Sequence, residues 1–154
     1  MNTFFRSRFS KLTGAAAMLS AALLLTATPA TASVLGARVC AAVLFDALSS
    51  DWYIRDAFNY GLLQRGQSTV LSTTLNAGRT YKVVAGGCED AFDVDVAVYD
   101  ESGNLVSRDS DTSPLAVATV SPRWSGTFYV KVTMYQVRPN SGGAAHYVVQ
   151  YAYQ

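Results

Sequence analysis

The spacing of apolar residues changes at Gly66, and this change divides the chain into two patterns. Beyond Gly66, apolar and polar residues alternate with a period of two, and Val, Thr and Tyr are frequent, as in β-strands. Turn-forming residues interrupt the alternation about every 8 to 12 positions, which is typical of hairpins in an all-β domain. The predicted strands are Ser68 to Leu75, Thr80 to Gly86, Phe92 to Tyr99, Asn104 to Arg108, Ala116 to Val120, Thr127 to Tyr135 and Ala145 to Tyr153. Short antiparallel strands in this number indicate a sandwich or a barrel.

The pattern before this point is different. From Gly36 to Leu63, apolar residues recur at steps of three and four, which predicts helix rather than strand. The polar cluster Ser49 to Asp51 has the composition of an N-cap, so the range holds either two helices or one bent helix. Gly61 is the predicted end of the helix. We therefore expect residues 33–66 to form an N-terminal helical segment that packs on the β-domain of residues 67–154.

Residues 1–32 have the composition of a secretory signal peptide. Three cations and no acid precede an Ala- and Leu-rich apolar run, and the small residues Ala30 to Ala32 lie just before Ser33. A membrane anchor would need about 20 consecutive apolar residues, and this run is shorter. We expect cleavage before Ser33, a secreted or periplasmic protein, and no membrane span after cleavage.

Charge and size narrow the classes of partner. The chain has 154 residues, of which 50% are hydrophobic and 15% charged, and this is enough for one compact domain. Its formal charge of +1 includes the three cations of residues 1–32, and the remainder has nine Lys and Arg against eleven Asp and Glu. Binding to nucleic acid requires clustered cations, and the chain has no run of them. We therefore expect no nucleic-acid partner.

Two cysteines, Cys40 and Cys88, lie in the part of the chain that is predicted to be exported. An oxidising compartment favours a disulfide between them, which would close a loop of roughly 50 residues and stabilise the fold by about 4 kcal/mol. A catalytic thiol would need a nearby base, but the single histidine, His146, is distant from Cys40 in sequence. Two Cys and one His at these spacings match no zinc pattern.

The predicted strand Phe92 to Tyr99 holds the most informative polar residues. Its valines point to one face, so Asp93 and Asp95 share the other face. Two carboxylates this close repel each other unless a cation, hydrogen-bond donors or water satisfy them. They are interpreted first as structural groups, with calcium ligands and a general acid–base pair as the alternatives. We expect no cofactor other than, under the second interpretation, calcium.

Four stretches of the chain carry a resemblance to a known family. They are Leu75 to Val83, Phe92 to Gly103, Ser125 to Val132 and Tyr147 to Val149. Their most specific motifs are the Asp-x-Asp strand followed by Tyr-Asp-x-x-Gly, and the later Ser-Gly-Thr-Phe-Tyr-Val. Together they resemble the bacterial pre-peptidase C-terminal (PPC) domain, and in the same way the collagen-binding domains of secreted collagenases.

The resemblance implies a mainly β fold, an antiparallel jelly-roll-like β-sandwich of about seven strands. It also implies a non-catalytic module of the kind that accompanies secreted hydrolases and assists secretion, solubility or attachment to a substrate. In the family, the calcium ligands precede the first strand, and the corresponding segment, Tyr60 to Gly66, has no clustered acids here. This departure from the family pattern argues against calcium binding in that segment.

Aromatic residues are concentrated in the last two predicted strands. Under strict alternation, Tyr129 and Tyr135 share one face of their strand, and Tyr151 and Tyr153 share one face of theirs. An exposed aromatic strip can stack on sugar rings or on a protein surface. We therefore predict these four tyrosines as binding residues for a protein or a polysaccharide.

Three classes of function follow from these observations. The first is a secreted, non-catalytic binding or accessory module, which agrees with the export signal and with the resemblance. The second is a structural, envelope-associated protein that acts through an open strand edge or through the N-terminal helix. The third is a small secreted hydrolase that uses His146, although no Gly-x-Ser-x-Gly motif is present. The first class is the preferred prediction, so we expect no enzymatic activity.

Overall fold

A computed structural model of the chain describes residues 51–87 and 89–154, and every regular element in these ranges is a β-strand. The strands are β1 (Tyr53–Ile54), β2 (Asn59–Gln64), β3 (Ser68–Leu75), β4 (Tyr81–Gly87), β5 (Ala91–Tyr99), β6 (Leu105–Asp109), β7 (Leu115–Val120), β8 (Gly126–Val137) and β9 (Ala144–Tyr153). The seven strands predicted from alternation correspond to β3 through β9, with ends that agree within two residues. The mainly β, antiparallel class is therefore confirmed.

The strands form two antiparallel sheets. In the five-stranded sheet, β9 pairs on one side with β4, which pairs in turn with β7, and on its other side with β1 and β2. The four-stranded sheet has the order β3-β8-β5-β6. Buried residues of both sheets, such as Val83 and Val149 of one and Val96 and Val132 of the other, belong to a single hydrophobic cluster. The two sheets therefore share one core.

The helix predicted between Gly36 and Leu63 is wrong over its described part. Residues 59–64 form β2, which pairs in register with β9 from Asn59 opposite Val149 to Gln64 opposite Ala144. In this strand Leu63 enters the core while Leu62 stays exposed, which is the alternation of a strand. The six residues of β2 adopt a strand because their backbone pairs with β9, and such tertiary contacts override a local helical spacing of apolar residues.

Gly61 is the predicted end of the helix, but it lies inside β2, so this prediction is wrong. A Cβ atom at this position would lie 2.8 Å from a ring carbon of Tyr147, so the absence of a side chain makes room for that ring.

Residues 1–50, with the predicted signal peptide, the first part of the predicted helical segment and Cys40, lie outside the described residues, as does Cys88. No helix in the described ranges has the length and apolar character needed to cross a membrane.

The hairpin from β5 to β6 is held by the side chain of Asp100. Its Oδ1 atom accepts hydrogen bonds from the backbone N–H groups of Ser102 at 2.9 Å and Asn104 at 2.8 Å. Hydrogen bonds from Asn104 and from the turn backbone lower the pKa of Asp100 below its usual range. Gly103 closes the turn with a φ of 81°, which other residues rarely adopt. This turn fixes the position of β6 beside β5.

Candidate functional site

Strand β5 carries the two aspartates that the sequence pairs on one face. Its core-facing valines are fully buried, and Asp95, between two of them, is half-buried. The register with β8 shifts on both sides of Asp93, and at this bulge Asp93 is only 5% exposed. The two carboxylates therefore lie in different environments, although they are two residues apart in sequence.

A pocket of about 340 Å³ lies against this end of β5. Its lining consists of Asp93, Asp95, Ser110, Thr112 and Tyr135, and we call it the acidic pocket. The two hydroxyl residues come from the loop after β6, and the tyrosine comes from β8. The pocket thus combines two carboxylates, two hydroxyl groups and an aromatic ring.

A smaller pocket of about 170 Å³ adjoins the acidic pocket, since Asp95 and Ser110 line both. Its other charged lining residues are Arg108, Asp109 and Lys131. The carboxylate of Asp109 accepts hydrogen bonds from the backbone N–H of Val117 at 2.7 Å and of Asp111 at 3.1 Å. Because Val117 belongs to β7, the first of these bonds links the edge of the four-stranded sheet to the other sheet.

The acidic pocket holds negative charge that the described residues leave unpaired. The Oδ1 atom of Asp93 is buried and has no hydrogen-bond partner. No hydrogen bond or ion pair within the described residues satisfies the carboxylate of Asp95. Burial raises the pKa of Asp95 above its usual range, and the charges of Asp93 and Asp109 raise it further. An unpaired carboxylate in such a place costs free energy, and a donor or a cation would recover it.

The calcium interpretation of Asp93 and Asp95 requires further oxygen ligands. Among the residues that the structure describes, no group of three or more His, Cys, Asp or Glu side chains is placed to hold a metal ion. The hydroxyl groups of Ser110 and Thr112 are the other oxygens of the pocket lining, and calcium prefers carboxylate and carbonyl oxygens. The donor set therefore fits hydrogen bonding better than metal coordination.

Tyr129 and Tyr135 lie on the face of β8 that points away from the core. Both side chains are exposed, Tyr135 at 57%, while the residues that alternate with them are buried. Six positions along a strand span about 20 Å. Lys131 and Thr133 lie between the two rings on the same face. The two tyrosines therefore mark the ends of a polar and aromatic surface, which we call the β8 face.

The other two predicted binding residues are not part of this surface. Tyr151 is only 4% exposed and belongs to the core, so the prediction that it presents its ring to a partner is wrong. Tyr153 packs against the core and stacks on Tyr53 with ring centroids 5.7 Å apart, and the Arg79 guanidinium lies 4.5 Å from its ring. Alternation places Tyr151 and Tyr153 on one face of β9, but that face is the inner one.

His146 lies in β9 opposite Leu62 of β2. Its Nδ1 atom is buried and has no hydrogen-bond partner. The described residues therefore show no carboxylate that orients this imidazole and no hydroxyl group activated by it, which a catalytic triad would require.

Ser110 and Thr112 are the pocket residues that the sequence did not reveal. The signal present there is a cluster of Asp, Ser and Thr from Asp109 to Ser113, which predicts a turn and nothing more. The packing of this loop beside β5 and β8 gives the hydroxyl groups their place.

Comparison with known proteins adds no assignment to this geometry. A scan against protein-family models and a search of curated proteins found no match to the chain.

Proposed function

We propose that this chain is a secreted, non-catalytic binding module that contacts a protein or a polysaccharide through the β8 face. The observation that carries the proposal is the position of the Tyr135 ring, which is exposed beside the unpaired carboxylates of the acidic pocket. An exposed ring beside hydrogen-bonding groups is the composition of many binding sites, because the ring supplies contact area and the polar groups supply orientation.

The proposal includes a finer description of the fold. Two antiparallel sheets around a shared core support a jelly-roll-like β-sandwich related to PPC domains. The resemblance to that family suggests the role of an accessory module. The predicted signal peptide would direct the protein out of the cytoplasm, where such modules act. Secretion or a periplasmic location thus belongs to the same proposal.

A second candidate function is a structural, envelope-associated role that uses open strand edges. In the described part of the chain, β3 and β6 form the edges of the four-stranded sheet. The apolar side chains of Val70 on β3 and of Leu105 and Val106 on β6 are exposed there. Exposed apolar edges favour pairing with another chain. Binding of this kind would depend on backbone pairing and not on the tyrosines of β8.

Alanine substitution on the β8 face tests the first candidate. The exported protein is screened against arrays of oligosaccharides and of peptides, and the affinity of a ligand found there is measured for Tyr135→Ala and Tyr129→Ala. If these rings contact the ligand, each change weakens binding by about 1–3 kcal/mol. Tyr60→Ala is the matched control, because Tyr60 is 56% exposed but lies on the other sheet. Unchanged affinity in both β8 variants would contradict the proposal, and so would an equal loss in the control.

A further inference from the structure

The acidic pocket has a composition that selects the charge of its ligand. Two of its lining groups are carboxylates, and the structure gives neither a partner within the described residues. Asp93 is the more informative of the two, because it is 95% buried and still has an oxygen atom without a hydrogen bond. A buried, unpaired carboxylate oxygen is costly, so its presence beside a pocket points to a ligand that satisfies it.

Two cations lie near the pocket, but neither neutralises it. Arg108 and Lys131 line the adjoining pocket with Asp95, yet both side chains are exposed and neither forms an ion pair with it in the described structure. The third nearby carboxylate, Asp109, is committed to the backbone of β7. The charged side chains in the lining of the acidic pocket are therefore both carboxylates, which favours a positively charged ligand.

We infer that the acidic pocket binds an arginine or lysine side chain of a protein partner, an inference that rests on the proposed function of the β8 face. Its cationic head group would pair with the carboxylates of Asp93 and Asp95 and donate hydrogen bonds to the hydroxyl oxygens of Ser110 and Thr112. The exposed ring of Tyr135 offers a face to the same cation. Every group in the lining thus has a role in holding one organic cation.

The surroundings of the pocket favour a protein over a polysaccharide. Tyr129 and, on the neighbouring strand β3, Val70 are exposed on the same sheet, and such aromatic and aliphatic surface is typical of protein interfaces. Arginine and tyrosine are also among the residues enriched at the energetic centre of such interfaces. A neutral sugar could stack on Tyr135 but would leave the two carboxylates without a counter-charge.

The experiment uses defined probes and the whole exported protein. The first probe is an eight-residue peptide of alternating Gly and Arg with blocked ends, and the second replaces each Arg by citrulline, which is similar in shape but neutral. Cellohexaose and calcium chloride are the other two probes. Binding is followed by the shifts of backbone amide signals in two-dimensional NMR spectra, which also show whether each variant remains folded.

We expect the arginine peptide to shift the amides of Asp95, Thr133 and Tyr135, and the citrulline peptide to leave them unchanged. Asp95→Asn and Asp93→Asn should each weaken binding of the arginine peptide by about tenfold or more, because the loss of one member of a desolvated charge pair mainly speeds dissociation. Glu101→Gln is the matched control, since it removes one negative charge from an exposed turn outside the pocket lining. It should change the affinity less than about twofold, as expected for screened charges.

Several results would overturn the inference. These are equal binding of the citrulline peptide, an equal loss in Glu101→Gln, or a calcium-induced shift at the same amides that displaces the arginine peptide. Binding of cellohexaose that depends on Tyr135 but not on Asp95 would overturn the charged pocket and leave the proposed function of the β8 face intact. If binding of a probe leaves the amide signals of both Tyr135 and Tyr129 unchanged, the proposed function itself is contradicted.

Discussion

Burial raises the pKa of two polar side chains, one in each sheet. Asp95 of β5 loses hydration beside two other carboxylates, and Tyr151 of β9 lies in the core with its hydroxyl group lacking a hydrogen bond of good geometry. Burial raises the pKa of Tyr151 as well, although the Thr73 hydroxyl and the Arg55 guanidinium oppose this change. Both positions therefore hold a polar group at a cost in stability, and that cost can be measured.

Replacing Asp95 tests this cost through its dependence on pH. A raised pKa in the folded protein means that the folded state binds the proton more tightly than the unfolded state, so stability falls as pH rises from the ordinary aspartate pKa of 3.8 through the folded pKa. Asp95→Asn removes this loss. We expect a higher melting temperature than the native protein at pH 7, and the difference should shrink towards zero as the pH is lowered past 3.8.

The same measurement on Glu101→Gln, for an exposed side chain, should show no such trend. A difference for Asp95→Asn that stays constant down to low pH would show that the carboxylate charge is not its cause.

Two substitutions of Tyr151 separate the contributions of its ring and of its hydroxyl group to stability. Tyr151→Phe keeps the ring and deletes the unsatisfied oxygen, so the free energy of unfolding should rise or change by less than about 1 kcal/mol. Tyr151→Ala leaves a cavity in the core and should lower it by about 3–5 kcal/mol. Urea unfolding of both variants checks the pair, and a mild effect of Tyr151→Ala would mean that the ring is not packed as described.

At the scale of elements, the close approach of two strands limits which side chains a position can hold, and the sequence of one strand alone does not show this limit. Gly87, at the end of β4, donates a hydrogen bond from its N–H to the carbonyl of Pro114 at 2.7 Å. A Cβ atom at this position would overlap with the Cβ of Ala91, which is attached to the backbone of β5 and has no rotamer that moves it away. The close approach of β4 and β5, which belong to different sheets, therefore depends on a glycine.

Gly87→Ala should lower the free energy of unfolding by about 1–3 kcal/mol, because an added methyl group in a tight contact forces the backbone to shift. Gly126→Ala is the control: the nearest atoms to its new methyl group, at 3.3 Å, belong to the side chains of Glu101 and Trp124, which can move. Similar denaturation midpoints for the two variants would contradict the contact between Gly87 and Ala91.

Strands β3 to β9 could be predicted from the sequence because each is a run of five or more residues bounded by turn-forming residues, and all but β6 are rich in Val, Thr, Ala or Tyr. The prediction failed at β1 and β2, where three- and four-residue spacing suggested a helix and pairing with β9 decides the outcome. The candidate site could be predicted in part: alternation identified Asp93, Asp95 and the exposed side of β8. It could not show that Tyr151 faces inwards, since the period of a strand defines two faces without saying which one another sheet covers.

At the scale of the whole molecule, a few residues join the two sheets beyond the shared core. Arg55 follows β1 and donates hydrogen bonds to the Thr73 hydroxyl at 3.1 Å and to the Thr74 carbonyl at 2.9 Å, both on β3. Its guanidinium also lies 5.2 Å from the ring centre of Tyr81 in the other sheet. The predicted disulfide between Cys40 and Cys88 would add a covalent link to the same body.

The disulfide is tested on protein isolated from the exported fraction. We expect an intact mass that corresponds to a chain starting at Ser33 and lacking two hydrogen atoms, because both cysteines are predicted to enter an oxidising compartment. Reduction should lower the free energy of unfolding by about 4 kcal/mol, as chain entropy predicts for a loop of this length. Two free thiols in the unfolded, unreduced protein would contradict the pairing.

The position of β9 in the five-stranded sheet has a consequence for the order of folding. It is the last strand in the sequence, yet β1, β2 and β4 all take it as their neighbour. While residues 144–153 are still being synthesised, these three strands lack the neighbour that they share, and their contacts with it cannot form. The sheet therefore closes only after synthesis of the last strand. For the secretion proposed above, this order of synthesis would keep the sheet incomplete until β9 has been made, which would help the chain to cross a membrane unfolded.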